Sequence, residues 1–128
     1  MKKYVLVAVG GALGSIFRWG ISYLLQSENG FPFATLFVNL FGSFCLVYLY
    51  SRLSRNHENT FLFFATGFLG SFTTFSTFSV ELVGYIQDEF WLKSLLYFFI
   101  SSIGGLSFGL LGYKLGQRRG SKEENLDV

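Results

Sequence analysis

"GFLGSFTTFSTFSVE", residues 67–81, sets six hydroxyl side chains within nine residues: Ser71, Thr73, Thr74, Ser76, Thr77 and Ser79. Phe72, Phe75 and Phe78 are interleaved with them, and Gly67 and Gly70 stand in front. The neighbouring sequence on both sides is nearly devoid of charge. A run this rich in hydroxyls, set inside lipid-soluble sequence, decides how the rest of the chain is read.

Working outward, the 128 residues are 51% hydrophobic, 20% aromatic and only 14% charged, with a single proline. A soluble domain carries about 25% charged residues, and here the charges also cluster, leaving four long stretches almost free of them. About 20 apolar residues cross the hydrocarbon core of a bilayer. The reading is an all-α polytopic membrane protein with spans at about 4–25, 33–53, 60–86 and 90–115. They form one transmembrane unit over residues 1–117, followed by a polar tail at 118–128. The start, "MKKYVLVAVGGALGS", has the basic and apolar regions of a signal peptide. Its apolar character runs on past any cleavage point, so it is read as the first span.

Charge in short loops sets orientation, because lysine and arginine favour the cytoplasmic side. Lys2 and Lys3 precede the first span, Arg52 and Arg55 follow the second, and Lys114, Arg118, Arg119 and Lys122 follow the fourth. Glu28, Asp88, Glu89 and Lys93 fall on the other side. Both termini are therefore expected in the cytoplasm. Cys45 is the one cysteine, which excludes an internal disulfide, and it reads as a small apolar residue. His57 reads as a surface residue. No nucleophile–base pairing, metal-ligand cluster or phosphate loop is present, so catalysis is not expected.

The spans carry few polar groups, and their spacing is informative. Gly10 and Gly14 form a small-xxx-small pattern that lets two helices approach closely. Arg18 lies near the outer third of its span, where it either snorkels to the surface or lines an aqueous entrance that attracts anions. Thr35, Asn39 and Ser43 recur every four residues and share a helical face; an amide in hydrocarbon must find partners. Ser94, Tyr97 and Ser101 form a similar face on the fourth span, with Gly105 one turn on. In the third span, glycines and hydroxyls together permit the backbone to leave the α-helix near mid-membrane, since hydroxyls re-satisfy freed peptide groups. Such a break exposes carbonyls suited to a cation and N–H groups suited to an anion. Phe75 and Phe78, three apart, point to similar sides, and the positive edges of their rings suit an anion. Glu81 is the acidic residue nearest a span's interior.

With these residues in view, the chain resembles the Fluc (CrcB) fluoride channels over essentially its whole length apart from the tail. Three blocks carry the resemblance: "GGALGSIFRW", "TLFVNLFGSF" and "GFLGSFTTFSTFSVE". The resemblance implies a dimer of two subunits in opposite orientations in a prokaryotic-type plasma membrane, with two fluoride pores and a structural sodium ion at its centre. The backbone carbonyls of Gly70 and Thr73 would hold that sodium. Phe75 and Phe78 would line the pore, Asn39 would face it, and Arg18 would make its entrance electropositive. Tyr97 and Ser101 match the polar track of the fourth helix; Ser76, Thr77 and Glu81 complete the motif. The implied activity is passive fluoride export that lowers fluoride toxicity.

Hydroxyls, an amide and ring edges can replace the water shell of a small, tightly hydrated anion without a fixed charge that would trap it. Two rivals stand against this reading. A four-span proton-coupled multidrug exporter would want a carboxylate central in a span, commonly the first, where this chain has Arg18. A non-transporting membrane assembly subunit would use the glycines and hydroxyls for packing alone. The strong loop-charge bias sits awkwardly with a subunit that inserts both ways. It implies either a partner homologue of opposite topology or a bias overridden during insertion. The first-span glycines and the third helix are expected to find their partners in the second subunit.

Overall fold

The computed structural model describes residues 1–26, 30–53 and 57–124, with side chains through residue 117. Glu28 and Arg55, and the side chains of Arg118, Arg119 and Lys122, therefore lie outside the described part, as does the tail from residue 125. Every regular element among the described residues is helical. Helix α1 covers Lys2–Leu24 and α2 covers Phe33–Leu53. A short α3, Glu58–Phe61, leads into a π-helical segment, Leu62–Leu69, and then into α4, Gly70–Phe72. Helix α5 covers Phe75–Gln87 and α6 runs over Trp91–Glu124, its backbone continuing into the segment expected as tail.

Four helical stretches are long and apolar enough to cross a membrane: Lys2–Leu24, Phe33–Leu53, Glu58–Gln87 and Trp91–Gln117. Each lies within a few residues of a span read from the sequence. Their outer surfaces carry Phe17, Trp19, Leu92, Leu106 and many other large apolar side chains, all exposed. In water such a surface would aggregate; against lipid it is the stable choice. Helix α1 buries only Gly10 and Gly14.

Those two glycines explain how α1 docks. A Cβ on Gly10 would strike the Phe63 carbonyl oxygen and lie 3.1 Å from the Phe68 nitrogen. One on Gly14 would strike the Phe68 carbonyl and the Ser71 hydroxyl, and one on Gly67 would sit 2.7 Å from the Val7 oxygen. Backbone lies directly on backbone, which only small residues allow. The first-span glycines thus find their partner within their own chain, in the π-helical segment, and not in a second subunit as expected. Ser71 ties the joint: its hydroxyl is 2.7 Å from the Gly11 carbonyl, nearer than the Gly67 and Phe68 carbonyls of its own helical turn.

Helix α2 packs along α6 by the same device, with Gly104 against Leu40 and Gly112 against the backbone of Phe44 and Tyr48. A small apolar core of Val38, Leu69 and Phe72 joins α2 to the third span, with Cys45 half-buried beside it. Between α4 and α5 the backbone leaves helical geometry for two residues. Thr73 has φ −74° and ψ 155°, and Thr74 has φ −146° and ψ 120°, both extended.

A methyl group at Gly10 meets backbone that cannot yield, whereas at Gly20 it meets nothing within 4 Å. Gly10→Ala is therefore expected to destabilise the protein by about 1–3 kcal/mol, the usual cost of overpacking, and Gly20→Ala to leave it unchanged. Thermal unfolding in detergent measures both; equal midpoints for the two variants would refute the docking.

Candidate functional site

The extended pair Thr73–Thr74 strands peptide groups that a continuous helix would have paired. In a medium without water each such group costs several kcal/mol, so the partners found for them define the site. The Asn39 side chain bridges the backbone N–H and C=O of Thr74. Its Nδ2 donates to the Thr74 carbonyl at 2.9 Å, and its Oδ1 accepts from the Thr74 N–H at 2.8 Å. A primary amide has the same donor–acceptor pattern as a peptide, so Asn39 acts as a one-residue strand pairing with the gap. Gly42, one turn along α2, makes room for the Thr73 methyl group.

Each flank has its own support. The Thr74 hydroxyl caps α5, accepting from the Thr77 N–H at 3.1 Å, and lies within 3.0 Å of the Thr77 hydroxyl and 3.2 Å of the Ser76 hydroxyl. This is the usual role of threonine at a helix start. On the α4 side, Arg18 Nε donates to the Ser71 carbonyl at 3.1 Å. Arg18 therefore points into the protein at the helix end, where a cation is favoured by the partial negative charge of unpaired carbonyls.

Four carbonyls, those of Gly70, Ser71, Phe72 and Thr73, lose the donor that a continuous helix would give them, and Arg18 takes the one at Ser71. The Thr74 N–H that would have closed on Gly70 goes to Asn39, and the Thr77 N–H that would have closed on Thr73 goes to the Thr74 hydroxyl. A groove of about 230 Å³ opens beside them, lined by Asn39, Ser43, Thr73, Thr74 and Phe75.

Further along α5, Glu81 is held from two other helices. Thr35 Oγ1 donates to its Oε1 and the Tyr97 hydroxyl to its Oε2, each at 2.7 Å. Tyr97 is wholly buried and Thr35 nearly so. The carboxylate faces a cavity of about 430 Å³ that Thr77, Tyr85 and Asp88 also line. The Tyr85 hydroxyl closes one wall by donating to the Gly30 carbonyl at 2.8 Å.

The two phenylalanines differ. Their ring centroids are 6.0 Å apart, yet Phe75 is 81% exposed and Phe78 only 8%, Phe78 packing on Tyr97 with centroids 5.1 Å apart. Similar direction along the helix does not give them similar surroundings. Ser101 has a buried hydroxyl oxygen with no hydrogen-bond partner among the described residues. The break and the Glu81 clamp thus bring together Gly70, Thr73, Ser76, Thr77, Phe75, Phe78, Glu81, Asn39, Arg18 and Tyr97; Ser101 stands one turn away on α6 and makes no hydrogen bond to them. Sequence reasoning passed over Thr35 and Thr74 as site residues. Their signals were present: Thr35 lies one turn before Asn39 on the same face, and Thr74 stands three residues ahead of Thr77, the spacing of a cap.

A helical bundle whose spans are apolar outside, with its polar side chains converging on one interrupted helix, defines a multi-pass membrane protein. Comparison with known proteins narrows this. Residues 5–113 match the family described as CrcB-like protein, Camphor Resistance (CrcB). The chain is 48% identical over 121 residues to a fluoride-specific ion channel FluC of Thermus thermophilus, covering 91% of this chain and 96% of that one. It is 41% identical over 118 residues to the fluoride-specific ion channel FluC 1 of Bacillus cereus, covering 88% and 82% of the two. With FluC of Legionella pneumophila strain Paris it shares 38% identity over 118 residues, covering 88% and 87%. The chain belongs to the CrcB family.

Removing the donor from Tyr97 leaves one carboxylate oxygen of Glu81 unmatched. Tyr97→Phe is expected to lower stability by about 1.5–3 kcal/mol, the range for a hydrogen bond to a charged group, read as a fall in unfolding midpoint. An unchanged midpoint would show that the clamp contributes nothing.

Proposed function

We propose that the chain is a fluoride-selective channel that lets fluoride leave the cytoplasm passively, lowering its toxic accumulation. The observation that carries this reading is the match, over nearly all of the chain, to relatives named as fluoride-specific ion channels. They are named as channels and not as enzymes. The site supplies compatible chemistry: hydroxyls, an amide and ring edges are donors and positive edges without a mobile counter-charge.

In this reading the interruption at Thr73–Thr74 lies near mid-membrane, and two copies in opposite orientations close the groove beside it. Phe75, almost fully exposed on one subunit, presents its ring edge to the ion together with Phe78. Asn39 keeps one Nδ2 proton for the ion, since the amide has two and only one goes to Thr74. Ser76 and Thr77 offer hydroxyls at the start of α5, and Ser101 offers one without a partner among the described residues. Tyr97 and Thr35 hold Glu81 in place, so that its charge is matched by two donors where the anion passes. Arg18 brings positive charge to the same region.

A sodium ion fits the carbonyls of Gly70 and Thr73. Both are oxygens deprived of their helical N–H, and oxygen ligands suit hard cations. The remaining ligands would come from a second copy. A bound sodium supplies positive charge that the interrupted helix lacks. Both termini lie in the cytoplasm by loop charge, with Lys2, Lys3, Arg52 and Lys114 on that side. That bias leaves a homodimer and a pair with an opposite-topology homologue as the two assemblies to separate.

Liposomes loaded with fluoride and containing this chain are expected to release it rapidly and electrogenically. If they retain fluoride as well as protein-free liposomes, with and without a homologous partner subunit, the channel reading fails. Phe75→Ile and Phe78→Ile should each slow efflux by about tenfold, the effect of losing about 1.4 kcal/mol, with the dimer intact on gel filtration. Unchanged efflux in both variants would remove the rings from the pore.

A further inference from the structure

The Gly70 and Thr73 carbonyls are bare because Thr73 and Thr74 are extended, and two side chains hold that extension by taking the N–H groups it displaces. We propose that Asn39 and the Thr74 hydroxyl are positioning groups for a monovalent cation, each intercepting the N–H that would otherwise engage a ligand carbonyl. The inference rests on the sodium reading above and assigns to these two residues a task that reading does not give them.

The argument is one of competition. A carbonyl four residues before an amide N–H in a helix takes that proton by default, and a carbonyl so engaged is a poorer cation ligand. At Gly70 the default donor is the Thr74 N–H, but the Asn39 Oδ1 holds it at 2.8 Å. Asn39 is anchored for this by its second bond, from Nδ2 to the Thr74 carbonyl at 2.9 Å. At Thr73 the default donor is the Thr77 N–H, and the Thr74 Oγ1 holds it at 3.1 Å. Between the two, the Ser71 carbonyl is occupied by Arg18. A cation arriving at this turn therefore meets the Gly70, Phe72 and Thr73 carbonyls released and Ser71 already taken. The intercepting atom is an acceptor in both cases, so replacements that keep an acceptor keep the function.

The test compares Asn39→Ala with Asn39→Gln and Thr74→Ala with Thr74→Ser, the second of each pair retaining the acceptor and, for Gln, the amide donor as well. Two readouts are taken on purified full-length protein in detergent. The first is the rise in unfolding temperature as sodium chloride replaces N-methylglucamine chloride. The second is the infrared amide band of a ¹³C=¹⁸O carbonyl introduced singly at Gly70 or Thr73. The expected result is that each alanine variant needs about tenfold more sodium for half of the stabilisation, a loss of about 1.4 kcal/mol, while the Gln and Ser variants stay close to wild type. The Gly70 band should shift to lower frequency in Asn39→Ala only, and the Thr73 band in Thr74→Ala only. Should an alanine variant not fold, its acceptor-retaining partner decides: a wild-type sodium response and unshifted band support the proposal, and a lost response overturns it. A normal sodium response in both alanine variants overturns the proposal and leaves the sodium site standing. A wild-type protein indifferent to sodium removes the site and the proposal together.

Discussion

A peptide group buried in hydrocarbon without a partner costs several kcal/mol, and this chain accepts that exposure at Thr73 and Thr74. Much of the rest of the structure follows from meeting the cost. Asn39 supplies both halves of the missing pairing, the Thr74 hydroxyl starts the next helix, and Arg18 reaches across from α1 to the Ser71 carbonyl. Two helices are recruited to repair two residues. The close docking of α1 through Gly10 and Gly14, and of α2 through Gly42, is what brings those side chains within reach.

The same repairs leave a chemically useful surface. Donors that face inward hold the backbone, and those that remain face the groove. Glu81 illustrates the balance, because its two oxygens each receive a hydroxyl from a different helix. A carboxylate held this way neither needs water nor is free to swing, and it ties the fourth span to the second through a single side chain. The membership of the chain in the CrcB family places this arrangement among relatives named as fluoride channels.

How much could be read from the sequence divides along physical lines. The four spans were legible because apolar length is a property of composition, which needs no partner. The faces were legible as well: Thr35, Asn39 and Ser43 at four-residue steps all turn toward the third span or its groove. The partners were not. Gly10 announces a close approach but not to which backbone, and the partner expected from a second subunit is the π-helical segment of the same chain. Asn39 announces a need for hydrogen bonds, yet that both go to one residue depends on Thr74 being extended. Arg18 could have snorkelled; its bond to Ser71 depends on α1 lying against α4. Thr74 was one of six similar hydroxyls until dihedral angles singled it out. Spacing records what a side chain requires, and only the tertiary arrangement decides who provides it.

The two halves of the third span belong to different neighbours. The π-helical segment and α4 lie against α1, whereas α5 is fastened to α2 and α6 through Thr35 and Tyr97. The two halves are therefore joined along a seam that runs through Thr73 and Thr74, with the Val38, Leu69 and Phe72 core bridging α2 to the first half. A rotation of one half against the other would stretch the Asn39 and Arg18 bonds together with this apolar contact. A load on the α1 side is thus reported at the seam itself, where the released carbonyls lie.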